Sequence, residues 1–64
     1  MTVFKTDSHG NPVHYECTTV LGSRATVFVE YDYSNLKKVD AHVYRMVFPE
    51  KNKEIVEPRK WRDA

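Results

Sequence analysis

The 64-residue chain suits one domain, and its 10 Lys and Arg against 9 Asp and Glu leave a formal net charge of +1. That balance lacks the basic excess of a strongly electrostatic nucleic-acid binder and is not acidic enough for wholesale mimicry of DNA. A chain this short buries only about 60% of its unfolded surface, and Cys17, its one cysteine, cannot staple it internally, so stability is expected to come from oligomerisation or a partner.

Met1-Thr2-Val3-Phe4-Lys5 has no charged start leading into a long apolar stretch, and no run in the chain approaches the ~20 apolar residues of a membrane span. With a lone thiol that fits a reducing compartment, the expectation is a soluble cytoplasmic protein. Nine Val against two Leu favour strands, where branched and aromatic side chains pack well, over helices.

In chain order, Thr2 to Thr6 reads as a short strand and Asp7-Ser8-His9-Gly10-Asn11-Pro12 as a turn. Val13 to Leu21 alternates, with Val13, Tyr15, Cys17, Thr19 and Leu21 on one face. Gly22-Ser23 interrupts, and Ala25 to Tyr33 alternates again, with Ala25, Val27, Val29, Tyr31 and Tyr33 together. A two-residue loop would mix the faces. A three-residue loop, Gly22-Ser23-Arg24, pairs Leu21 with Ala25, Cys17 with Val29 and Tyr15 with Tyr31, which keeps one face apolar. That register sets His14 opposite Asp32 and Glu16 opposite Glu30, and the like-charged pair marks a solvated or ligand-facing surface.

Ser34 to Lys38 reads as a connection. Val39 to Phe48 supports two readings. As a strand it carries Val39, Ala41, Val43 and Val47 on one face and Tyr44, Met46 and Phe48 on the other; as a helix over 35–47, capped by Ser34, it gathers Leu36, Val39, Val43, Met46 and Val47 on one stripe. The density of Val, Tyr and Phe favours the strand. Pro49 to Asn52 reads as a turn, Lys53 to Glu57 as a short fifth strand before Pro58, and 58–64 as a tail of a single domain spanning 1–64. The predicted architecture is all-β, an antiparallel meander of four to five strands that closes into an SH3-like or OB-like barrel or is backed by its tail.

On that reading Val13, Tyr15, Val27, Val29, Val43 and Val47 form the core face, and the second face holds Val20, Phe28, Tyr44, Met46 and Phe48, with Ile55 as a further candidate, more apolar area than a monomer leaves wet. Either barrel closure or Trp61 covers it, or it is a dimer contact or target-binding face, for which aromatic residues and Met are suited.

Other chemistry is weakly encoded. His9, His14, His42 and Cys17 lack paired metal-ligand spacing, and His14 and Cys17 fall on opposite strand faces. Two glycines make no phosphate-cradling loop. No cofactor, metal, membrane partner or small-molecule substrate is expected, nor is an enzyme, although a subunit of a larger enzyme would hide its chemistry. The leading expectation is a non-enzymatic protein-binding module, a small regulator or inhibitor of the kind phages and mobile elements encode. It would occlude a partner surface or form a homodimer through Phe28, Tyr44, Met46 and Phe48, with Glu16 and Glu30 as a polar rim. The alternative is a nucleic-acid-binding module using Arg59, Lys60, Trp61 and Arg62, where Trp61 stacks on a base between cations.

Overall fold

The computed structural model describes residues 1–35 and 37–59. Five strands, β1 (Thr2–Thr6), β2 (Pro12–Thr18), β3 (Arg24–Asp32), β4 (Asp40–Phe48) and β5 (Lys53–Val56), form one antiparallel sheet in the order β1-β2-β3-β4-β5. The predicted meander is therefore present. Neither barrel closure nor the alternative helix over 35–47 is: β1 and β5 remain separate edges, and Asp40–Phe48 is a strand.

The first two hairpins share one turn design. In each, a three-residue loop ends in a glycine at positive φ, Gly10 (84°) and Gly22 (85°), the third-position geometry that a side chain resists. The Gly10 N–H donates to the Asp7 carbonyl at 3.0 Å and the Gly22 N–H to the Thr19 carbonyl at 2.9 Å. The residue before each loop also accepts from the residue after it through its side chain: Asp7 Oδ1 from the Asn11 N–H (2.9 Å) and Thr19 Oγ1 from the Ser23 N–H (3.3 Å). The second loop is thus Val20-Leu21-Gly22, two residues upstream of the predicted one.

That displacement changes every β2–β3 pair. Tyr15 lies opposite Val27, Cys17 opposite Ala25 and His14 opposite Phe28. Because the shift is an even number of residues, each side chain keeps its predicted face. Glu16 meets Thr26, and Glu30 lies opposite His42 on β4, so the expected Glu16–Glu30 and His14–Asp32 pairs do not form.

β4 departs further. Phe28 lies opposite Arg45 but Val29 lies opposite Val43, leaving Tyr44 as an extra residue in a β-bulge. Past the bulge the alternation inverts. Met46, opposite Val27, joins the core face; Val47, opposite Thr26, leaves it. The expected grouping of Phe28, Tyr44, Met46 and Phe48 on one face is therefore corrected: Met46 and Phe48 pack against the core, whereas Phe28 lies on the other side. An unbulged strand would have put the Arg45 guanidinium on the core face beside Val27, a costly burial.

The core is the middle of β3. Ala25, Val27 and Val29 are its buried hydrophobic residues, with Tyr15, Cys17, Tyr31, Met46 and Phe48 partly buried around them. Two polar ties brace this thin body. The Tyr31 hydroxyl donates to the Pro12 carbonyl at 2.7 Å. Glu50, in the 3-10 turn Pro49–Lys51, accepts from the Arg24 N–H at 3.0 Å, a bond that holds its carboxyl below the usual range. No helix among the described residues is long and apolar enough to cross a membrane.

Candidate interaction surfaces

Pairing defines two unlike sheet faces. On the core face, Val3 (opposite Tyr15), Val43 (opposite Val29) and Ile55 (opposite Met46) remain 43%, 39% and 42% exposed. Among the described residues no second layer of secondary structure covers them. At the rim, the Val20-Leu21-Gly22 loop presents Leu21 at 83% exposure. Leu21, Phe48 and Ile55 contribute to an open depression of about 260 Å³, with Lys51 and Lys53 also lining it. Domains ordinarily bury a sheet face against another layer, so this face is structurally incomplete.

The opposite face carries an aromatic row across four strands. Ring centroids of Phe4 and His14 are 4.9 Å apart, His14 and Phe28 stack at 4.3 Å and 17°, and Phe28 and Tyr44 follow at 6.3 Å. The Arg45 guanidinium lies 5.0 Å from the Phe28 centroid, and that of Arg59 lies 4.3 Å from Tyr44 while donating to its hydroxyl at 2.8 Å. Arg45 also pairs with Glu54 at 3.2 Å. His14 and Arg45 occupy Phe28, and Arg59 occupies Tyr44. The row therefore works as a cross-strand ladder that stiffens a single-layer sheet.

Of the six residues expected to bind a partner, Phe28 and Tyr44 belong to this ladder. Glu16 and Glu30 lie on the same face, on β2 and β3. Met46 and Phe48 border the exposed core face instead. The second expected cluster is divided too: Arg59 caps Tyr44, while Lys60, Trp61 and Arg62 lie outside the described residues. Sequence reading puts Val43 on the core face without its exposure, puts Ile55 with the second face, and misses Val3. The missed signal was Arg45, whose charge marks where the alternation must break.

A third cluster sits at the first turn. Asp7 accepts from the Tyr33 hydroxyl and from the His9 and Asn11 amides, Asn11 Nδ2 donates to the Tyr33 oxygen at 2.9 Å, and the His9 ring stacks on Tyr33 at 3.7 Å. The Tyr33 bond first, then the two amides, hold the Asp7 carboxyl below its ordinary value against partial desolvation. Desolvation, then the Asp7 carboxylate, pushes the Tyr33 phenol up. Every strong donor and acceptor here serves the turn, so the cluster acts as a clamp between the β1–β2 loop and the end of β3. No group of three or more potential metal-ligating side chains occurs among the described residues.

Comparison of the chain with protein-family models, curated proteins and solved structures found no match.

Proposed function

We propose that the chain is a non-enzymatic protein-binding module, a small regulator that acts by covering a surface of its partner. The observation that carries this reading is the incomplete core face, where Val3, Val43 and Ile55 stay exposed beside half-buried Met46 and Phe48. Apolar patches of this kind mark protein contacts, and Met and aromatic side chains suit their centres. The free thiol of Cys17 fits the cytoplasmic setting that belongs to the proposal. The nucleic-acid alternative gains less support, because the Phe28 and Tyr44 rings are engaged by each other's neighbours rather than open to bases.

Photo-crosslinking residues placed singly at Val43 and Val47 test the reading, since the two positions lie on opposite faces. Protein adducts are expected from Val43 and not from Val47. Adducts confined to Val47 would mean that the ladder face, not the core face, meets the partner.

A further inference from the structure

The two sheet edges differ. β1 pairs with β2 through two register shifts, between Val3 and Lys5 and between Lys5 and Thr6, whereas β4 and β5 pair without irregularity. Bulges are a standard protection of edge strands, and β5 has none. Its hydrogen-bonding sense follows from the Glu57 N–H, which donates to the Tyr44 carbonyl at 2.8 Å. Because bonded and non-bonded pairs alternate in an antiparallel ladder, Lys53, Ile55 and Glu57 direct their amides to β4. Glu54 and Val56 direct theirs outward, at the sheet's edge.

We infer that this outer edge of β5 pairs antiparallel with β5 of a second copy of the chain, about a two-fold axis at Ile55. The register follows from the residues. Centring on Ile55 places the outward-bonding Glu54 against Val56 of the second copy, twice, so that their amides exchange four N–H···O bonds. Ile55 meets Ile55 of the second copy on the core face, in the non-bonded position where cross-strand side chains come closest. Lys53 lies opposite Glu57 of the second copy at both ends, an opposite-charge pair. Centring on Lys53, Glu54 or Glu57 would oppose like charges, and centring on Val56 would set Glu54 against Pro58, which has no N–H to give.

The strand is also bounded symmetrically about that axis. Three residues before Ile55, Asn52 leaves the extended conformation at φ 50°; three residues after it, Pro58 ends the supply of donors. The ladder is thereby limited to the five residues that complement themselves. Pairing joins the two core faces into one surface across ten strands, covers part of Ile55, and creates no like-charge opposition. It rests on the reading above in that the chain works through protein contacts, but it uses the edge rather than the face.

Sedimentation of the full chain across a concentration series, with amide exchange read by NMR in the same samples, tests this. A monomer–dimer equilibrium is expected in which the Glu54 and Val56 amides become slower to exchange as concentration rises. Val56→Pro removes an outward N–H that β4 does not use, and should weaken dimerisation roughly tenfold or more through two lost bonds per dimer. Lys53→Glu and Glu57→Lys should each weaken it several-fold, and the double charge swap should restore it. That rescue separates a pairing effect from a folding defect. A monomer at every concentration, a dimer whose Glu54 and Val56 amides exchange as freely as in the monomer, or a charge swap that fails to rescue would each overturn the inference. Adducts retained at Val43 alongside any of these results would remove the edge and leave the face standing.

Discussion

Tyr33 shows how much one side chain can hold in a sheet with so small a core. Its hydroxyl serves Asp7 and Asn11 and its ring carries His9, so it fixes the β1–β2 turn to the distant end of β3. The linkage has a defined sign. The folded Asp7 carboxyl titrates below its ordinary value of 3.8, so its contribution is present above that pH and is lost as pH falls through the lowered folded value. The Tyr33 phenol titrates above its ordinary value of 10.0, so its contribution is present below that pH and is lost as pH rises through the raised folded value. Tyr33→Phe should therefore lower the thermal midpoint at neutral pH, and the gap from wild type should narrow under acid conditions below about pH 4. A gap that persists unchanged into strong acid would mean that the hydroxyl contributes through the Asn11 amide rather than through the Asp7 carboxylate, since phenylalanine keeps the ring on His9. Asp, Gly and Asn announced this turn in the sequence. Tyr33 did not, because its partner is 26 positions away and nothing in alternation distinguishes a clamp from a core tyrosine.

At the scale of elements, the strands were legible and their register was not. Val, Tyr and Phe density located β2, β3 and β4, and alternation assigned the faces of β2 and β3. Hydrophobic pairing alone favours a Gly22-Ser23-Arg24 loop, but turn chemistry overrides it in the β2–β3 register. A three-residue loop wants its glycine third, which selects Val20-Leu21-Gly22 and leaves two large apolar side chains in water. The β4 faces went astray because a bulge is an insertion, which strict alternation does not accommodate. Arg45 between Val43 and Val47 carried the information. This gives a test by deletion. Removing Tyr44 would close the bulge while leaving Val43 opposite Val29 and Arg45 opposite Phe28, so the chain should still fold with Met46 and Phe48 on the core face. Its cost should be the ring contact with Phe28, the Arg59 bond and the Tyr44 carbonyl that accepts from the Glu57 N–H, about 2–3 kcal/mol in all. Slowed amide exchange retained at Val27 and Val29, with a modest loss in denaturant midpoint, is the expected result. Complete unfolding would show that the bulge is required for β4 to pair at all.

The whole molecule joins these two scales. Five strands in one layer bury Ala25, Val27 and Val29 and leave a half-covered apolar face, while the charge balance of +1 places little electrostatic repulsion between copies. Domains of this size are stable by only a few kcal/mol, and a contact formed by the folded state alone adds directly to that margin. If β5 edges pair, folding and association are linked, and the apparent stability must depend on protein concentration. Above the dissociation constant, each tenfold rise in concentration adds RT ln 10 per dimer, about 0.7 kcal/mol per chain, which for a chain of this length is roughly 3–5 °C in Tm. Scanning calorimetry of the wild type should show that rise, and Val56→Pro should flatten it over the same range, because its outward donor is missing while its bonds to β4 are intact. A wild-type Tm independent of concentration, in samples that sediment as dimers, would mean that association is too weak at the melting temperature to support the fold. The core of β3 and the Tyr33 clamp would then carry the chain's stability by themselves.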